Sequence, residues 1–223
     1  MVLIFDLDDT LYDEMTYVRS GLRAVAYFGE RNFGWDSNQS FTFMVRHLEK
    51  DGRGRIFDSW LAGNGALTKK RVTDCIKIYR HHDPKIKLTS EAEQLLKRYE
   101  QSFRMYLVTD GHKVVQQKKI EALGIDRFFR RMFITHRYGI HHAKPSLYCF
   151  ELIRRIEKVD WKDMVYVGDN PAKDFVNLNS VGALTIRVST GSHAAVKAHK
   201  EYDARVTIPT LSSLPKVMDQ WCQ

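Results

Sequence analysis

Cysteine is scarce in this chain, and long apolar runs are missing. Cys75, Cys149 and Cys222 are odd in number and show no metal-ligand spacing. That argues for structural thiols in a reducing compartment rather than a disulfide framework. No apolar stretch approaches the length of a membrane span. The run Val2-Leu3-Ile4-Phe5 is too short for a signal peptide and ends in acid, not in a cleavage site. A Lys/Arg tail is also lacking. The 35 Lys and Arg outnumber the 27 Asp and Glu, for a formal net charge of +8, yet the two signs interleave almost throughout. With no nucleic-acid module signature visible, a nucleic-acid polymer is not the expected partner, and a small anionic substrate remains a reason for the basic balance. Neither a fixed-period repeat nor a low-complexity segment occurs. A soluble cytoplasmic protein with no membrane partner is expected. What is present, 223 residues of which 43% are hydrophobic and 28% charged, suits one large or two small domains. Oligomeric state is not readable.

The apolar pattern changes twice along the chain. Val2–Phe5 reads as a short buried strand. From Glu14 to Asp83 apolar residues recur at helical spacing: Tyr17, Val18, Leu22, Val25; then Phe41, Met44, Leu48; then Ile56, Trp60, Leu61; then Val72, Cys75, Ile76, Tyr79. Gly-rich turns separate them. Most aromatics of this stretch are expected in its own core, and its cluster Arg53, Arg55, Lys69, Lys70 and Arg71 reads as a solvated face. After Asp83-Pro84, strands and helices alternate. A helix capped by Ser90 is followed by strand 105–109, helix 113–123 closed by Gly124, strand 132–135, helix 146–158, strand 164–167, helix 172–180 and strand 183–188. This is the pattern of a parallel sheet covered on both faces. About seventy residues after the first strand are too many for a connecting loop and predict a separate helical layer. The expected division is an α/β domain of residues 1–13 and 84–223, interrupted by a helical domain of residues 14–83.

The first strand runs into Asp6-Leu7-Asp8-Asp9-Thr10, three carboxylates within four positions. Like charges this close, at the end of a buried strand, are unfavourable without a partner. On this stretch alone two readings stand: a solvated acidic turn, or a cation site in which Asp6 and Asp8, on one side of an extended chain, face one Mg²⁺. Three more features follow later strands: Thr109-Asp110-Gly111, Lys144-Pro145, and Gly168-Asp169 with Asp174. Ligands of open parallel sheets bind outside the carboxyl ends of the strands, so all four can converge.

These four motifs, in this order from Val2 to about Val188, resemble the haloacid dehalogenase (HAD) superfamily. Its DxDxT pattern is matched by Asp6-Leu7-Asp8-Asp9-Thr10, its Thr/Ser element by Thr109, its lysine by Lys144, and its GDxxxxD element by Gly168-Asp169 and Asp174. The resemblance implies a Rossmann-like α/β core, with first and fourth strands adjacent, and a helical type-1 cap. It implies a phosphatase that hydrolyses a small phosphomonoester, either a sugar phosphate or a nucleoside monophosphate, through an aspartyl-phosphate intermediate. Asp6 would be the nucleophile, Asp8 the general acid and base, and Lys144 the charge-neutralising cation. Thr109, with the backbone at Asp110 and Gly111, and Lys144 would bind the phosphate. Mg²⁺ would be held by Asp6, the backbone carbonyl of Asp8, and Asp169, with Asp174 binding directly or through water. Thr10 would order the first loop. Asp8 favours phosphate-ester chemistry, since dehalogenases of the family lack an Asp there. A phosphomutase shares the same core, and a non-catalytic phosphate-binding module is the remaining alternative. Asp110 and Ser146 stand where the family more often has Asn and an acidic or polar residue.

Overall fold

The computed structural model describes residues Met1–Trp221; Cys222 lies outside the described residues. The chain forms two compact units, Met15–Ile86 and the remainder. The larger unit is built on six parallel strands: β1 (Val2–Phe5), β2 (Arg104–Thr109), β3 (Arg131–Ile134), β4 (Met164–Gly168), β5 (Leu184–Val188) and β6 (Val206–Ile208). Their order is β3-β2-β1-β4-β5-β6. β1 lies between β2 and β4, with Phe5 opposite Leu107 on one side and Val167 on the other. All four β1 residues are fully buried, because successive side chains enter opposite covered faces. Val2 and Ile4 join Tyr106, Val108 and Tyr166, and Cys149, Phe150 and Ile153 of the helix Tyr148–Glu157, in one core cluster. Phe5, on the other face, meets the Phe129 ring edge-on.

The smaller unit consists of α1 (Glu14–Phe33), whose first residue belongs to the larger unit, α2 (Ser37–Asp51), α3 (Ile56–Gly63) and α4 (Lys69–His81). Val18, Leu22, Val25, Met44, Leu48, Trp60, Leu61 and Cys75 form its core. Of the aromatics read as core, Trp60 and Tyr17 are buried, whereas Tyr27 and Phe43 are exposed. The junctions differ slightly from the sequence expectation. Glu14 stays with the larger unit, its N–H donating to Asp9 Oδ1 at 3.0 Å. Residues 84–86 go with the helices, where the Lys85 N–H donates to Ser20 Oγ.

The remaining helices are α5 (Ser90–Tyr99), α6 (Lys113–Leu123), α7 (Tyr148–Glu157), α8 (Val176–Ser180) and α9 (Leu214–Trp221). Thr89, not Ser90, caps α5, its hydroxyl accepting from the Ala92 N–H. α6 ends as expected at Gly124, in the left-handed region at φ 60°. α7 starts two residues late, and Lys158 caps it at φ 52°. The expected helix start at Ala172 is instead a turn. The Asn170 side chain takes the Ala172 N–H, and Asp174 Oδ2 takes the Asn170 N–H. β6 and α9 lie beyond the last element expected from sequence. Among the described residues no helix is long and apolar enough to cross a membrane. Cys75 and Cys149 are buried free thiols, each pushed up to about 12 chiefly by burial, which leaves them unreactive.

Candidate active site

Because β1 and β4 are neighbours, the residues just past their carboxyl ends meet. The Asp6 N–H donates to the Val167 carbonyl at 2.9 Å, and Asp169 follows Gly168, the last residue of β4. The Asn170 turn then returns the chain so that Asp174 joins them. Asp6, Asp169 and Asp174 each offer a carboxylate oxygen, and these lie within 4.8 Å of one another. All three residues are buried. Lys144, also buried, places Nζ 2.9 Å from Asp6 Oδ1 and 2.7 Å from Asp174 Oδ1, and donates to the Tyr166 hydroxyl at 2.9 Å. Tyr166 in turn donates to Asp174 Oδ1.

Three carboxylates thus face one ammonium. Burial pushes Asp6 up to about 6, with Lys144 opposing and the Asp174 charge adding to the rise. Asp169 is pushed up to about 9 by burial and then by the charges of Asp6 and Asp174. Burial disfavours the Lys144 ammonium, but Asp174 and Asp6 outweigh it and raise the lysine well above its ordinary value. The cluster therefore carries more negative charge than its lysine balances. A compact set of carboxylate oxygens with excess charge fits a hard, oxygen-seeking divalent cation.

Asp8 stands apart from this group. Oδ1 receives the Tyr12 hydroxyl at 2.5 Å and Lys119 Nζ at 2.7 Å, and Oδ2 receives Gln116 Nε2 at 2.9 Å. Burial acts to raise its carboxyl, but Lys119 and the hydrogen bonds outweigh it and hold it below the ordinary value. Asp8 is not among the carboxylates that gather with Asp6, so this geometry lends no support to the sequence reading in which both side chains face one ion. The strand stops at Phe5, Asp9 takes φ 54°, and Asp8 pairs with Tyr12 in an isolated bridge. The alternation of an extended chain therefore does not carry through to Asp8.

Thr109 ends β2 and is buried, its Oγ1 accepting from Gln116 Nε2 at 2.6 Å. The Asp110 side chain acts on its own neighbours. Its Oδ1 accepts from Thr135 Oγ1 at 2.7 Å and from the Lys144 N–H at 3.1 Å, and Lys173 Nζ lies 3.5 Å from Oδ2. It thereby holds the loop that carries Lys144. Burial opposes its ionisation, but Lys144, Lys173 and these hydrogen bonds hold its carboxyl below the ordinary value. Gly111 follows at φ 137°, against the Gln116 side chain. His142 stacks on Tyr148 at 3.8 Å between ring centres, and His82 Nδ1 meets the Tyr79 carbonyl.

Sequence reasoning missed Tyr12, Gln116, Lys119 and Tyr166, all in direct contact with candidate residues. It also missed Asp9, whose carboxylate takes the N–H and hydroxyl of Ser192 and whose carbonyl takes the Thr190 hydroxyl. The available signal for two of them lay in α6. Gln116 and Lys119 are three apart, on the stripe that Ile120 also buries.

The relatives found by comparison span most of the chain. Glyceraldehyde 3-phosphate phosphatase of Methanocaldococcus jannaschii is 26% identical over 225 residues, covering 97% of this chain and 95% of its own. The enzyme of that name from Methanopyrus kandleri is 26% identical over 215 residues, covering 90% and 89%. Among solved structures, the HAD-hydrolase YfnB of Bacillus subtilis, bound to magnesium, superposes with a TM-score of 0.70 at 20% identity over 98% of both chains. A 2-haloacid dehalogenase of Pseudomonas syringae gives 0.68 at 21%, over 99% of this chain and 100% of its own. These two establish the fold. A model of the haloacid dehalogenase-like hydrolases matches residues 1–182, and with the parallel sheet and its strand order in place the chain belongs to that family.

Proposed function

We propose that the chain is a Mg²⁺-dependent phosphatase of a small phosphomonoester, working through an aspartyl-phosphate on Asp6. The observation that carries this reading is the contrast between two carboxylates. Asp6 sits against Lys144 inside an acidic cluster, whereas Asp8 is held separately by Lys119, Gln116 and Tyr12. Two carboxylates in unlike environments suit two roles. Asp6, Asp169 and the Asp8 carbonyl would hold the ion, with Asp174 binding directly or through water. Bound Mg²⁺ would supply neutralisation of charge on the phosphoryl oxygens.

The Asp6 oxygen would attack phosphorus, and the bond from phosphorus to the ester oxygen would break. Asp8 would give its proton to that departing oxygen. A phosphate dianion arriving beside Asp8 favours its protonated form, because like charge disfavours a second ionised group. Water would then attack the acyl phosphate while Asp8 takes its proton, releasing orthophosphate and restoring Asp6. Lys144 would neutralise Asp6 and the transferring group, and the Thr109 hydroxyl with the N–H groups of Asp110 and Gly111 would bind phosphate oxygens. The helical unit Met15–Ile86 would act as the cap that selects the leaving group. The free buried thiols fit a reducing, cytoplasmic setting.

The names of the archaeal relatives make a three-carbon sugar phosphate the first substrate to try. The test is phosphate release from sugar phosphates and nucleoside monophosphates, with Mg²⁺ and with excess chelator. Release that needs Mg²⁺ is expected. Full turnover in chelator sinks the metal assignment, and no release from any ester sinks the phosphatase reading.

A further inference from the structure

A helix that only needed to pack against the sheet would bury apolar residues. α6 instead buries Gln116 and Lys119 beside Ile120, at 1% and 2% exposure. Burying a polar or charged side chain is unfavourable unless its partners are well placed. Here they are: Asp8 and Glu14, more than a hundred residues away in sequence, and Thr109 at the end of β2. Lys119 Nζ reaches Asp8 Oδ1 at 2.7 Å and Glu14 Oε1 at 3.4 Å. Gln116 Nε2 reaches Asp8 Oδ2 at 2.9 Å and Thr109 Oγ1 at 2.6 Å.

We infer that Gln116 and Lys119 are a positioning pair that fixes the proton-transfer geometry of Asp8 and the direction of the Thr109 hydroxyl; the inference rests on the phosphatase reading above. A carboxylate offers about four lone-pair sites. On Asp8, Tyr12 and Lys119 take the two on Oδ1, and Gln116 takes one on Oδ2. The site left over, on Oδ2, is where the proton is given and taken. Held on both oxygens, the carboxylate cannot turn away from it. The two hydrogens of Gln116 Nε2 are divided between Asp8 Oδ2 and Thr109 Oγ1. An ionised carboxylate only accepts, so the amide must present nitrogen here and not oxygen. Because Thr109 Oγ1 already accepts this hydrogen bond, its own hydrogen is directed elsewhere, as a donor for a phosphoryl oxygen. One side chain thus registers the phosphate-binding hydroxyl against the acid.

The experiment compares an aryl phosphate, whose phenolate leaves with little protonation, with an alkyl phosphate, whose alkoxide needs it. Lys119→Met should lower kcat for the alkyl ester at least about tenfold more than for the aryl ester, a share of the usual worth of general acid catalysis. KM should stay within about threefold for both, since no ground-state contact is removed. Lys119→Arg, which keeps the charge, should restore most of the alkyl rate. Gln116→Leu should show the same leaving-group dependence and also raise KM for both esters, because the Thr109 hydroxyl is no longer directed. The ratio of the two esters does not depend on the fraction of folded enzyme, so a loss of stability cannot mimic the result. Equal losses for the two esters, or no loss, in variants of an active wild type overturn the positioning assignment and leave the phosphatase reading standing. A wild type inactive on both esters overturns the phosphatase reading and this assignment with it.

Discussion

At Asp169 and Asp6 the electrostatic imbalance of the site becomes a pH dependence. Both carboxyls have folded values above the ordinary 3.8, about 9 and about 6, chiefly because burial disfavours their charge. A carboxyl raised by folding binds more protons in the native than in the unfolded chain between its two values. Its contribution to stability is therefore present below the unfolded value and is lost as pH rises through the folded one. In the metal-free protein these two groups should make stability fall from about pH 4 to about pH 9. Asp8 and Asp110, both lowered, act in the opposite sense and only below about pH 4. A cation held by these carboxylates needs them ionised, so Mg²⁺ binding near neutral pH should expel close to one proton, mainly from Asp169. Calorimetric titration of Mg²⁺ in two buffers of different ionisation enthalpy measures it directly. Heats that do not depend on the buffer would count against the cluster as the metal site. The two carboxylates proposed as nucleophile and acid also separate by substitution. Asp6→Asn should abolish turnover and the phosphoenzyme together, since an amide is a poor nucleophile. Asp8→Asn should keep phosphoenzyme formation from an aryl phosphate while turnover falls by roughly 10²–10⁴. Single-turnover labelling distinguishes them, and phosphoenzyme formed by Asp6→Asn would remove Asp6 from the nucleophile's role.

Strand β4 illustrates how tightly an element's end is fitted to the site. A Cβ on Gly168 would come within 2.6 Å of Asp174 Oδ2, the oxygen that takes the Asn170 N–H. Gly168→Ala should therefore push Asp174 off Lys144, lowering kcat and raising the Mg²⁺ concentration needed for half-maximal rate. A Mg²⁺ titration of activity that matches wild type would show that Asp174 can shift at no penalty. Elements such as β1, β2 and α6 were legible because short apolar runs and the Gly124 cap mark them physically. The start of α8 was misread because helical spacing says nothing of a side chain that captures backbone N–H groups, as Asn170 and Asp174 do. β6 is three residues long and only partly buried, too short to show a period. Asp6, Lys144, Asp169 and Asp174 could be grouped from strand ends and order. The partners of Asp8 could not. Gln116-Gln117-Lys118-Lys119 is a polar run with no internal mark of which face turns inward, and that choice is set by the placement of α6 against the sheet.

The whole molecule is an α/β unit whose chain leaves after the first loop and returns for α5. The Thr89 N–H donates to the Leu11 carbonyl at 3.1 Å, so the chain comes back beside the point it left. Helices α1 to α4 have a core of their own, drawn from residues 18 to 75. The larger unit, for its part, keeps the six-stranded sheet and the cluster of Asp6, Lys144, Asp169 and Asp174 without them. Such a unit can be removed and its ends closed by a short linker at little loop-closure entropy. Replacing residues 15–86 by a few glycines should therefore give a core that folds, binds Mg²⁺ with release of a proton, and still hydrolyses an activated aryl phosphate slowly. Discrimination among natural esters should collapse, because the unit proposed to select the leaving group is gone. The measurement is kcat/KM for the same sugar-phosphate and nucleotide panel on the full chain and on the excised core, beside circular dichroism and Mg²⁺ calorimetry to show that the core is folded. A folded core that ranks the esters as the full chain does would move specificity into the α/β unit, to residues around Thr109 and Lys173. A core that folds and binds Mg²⁺ but cleaves no ester at all would instead make the helical unit a supplier of catalytic groups.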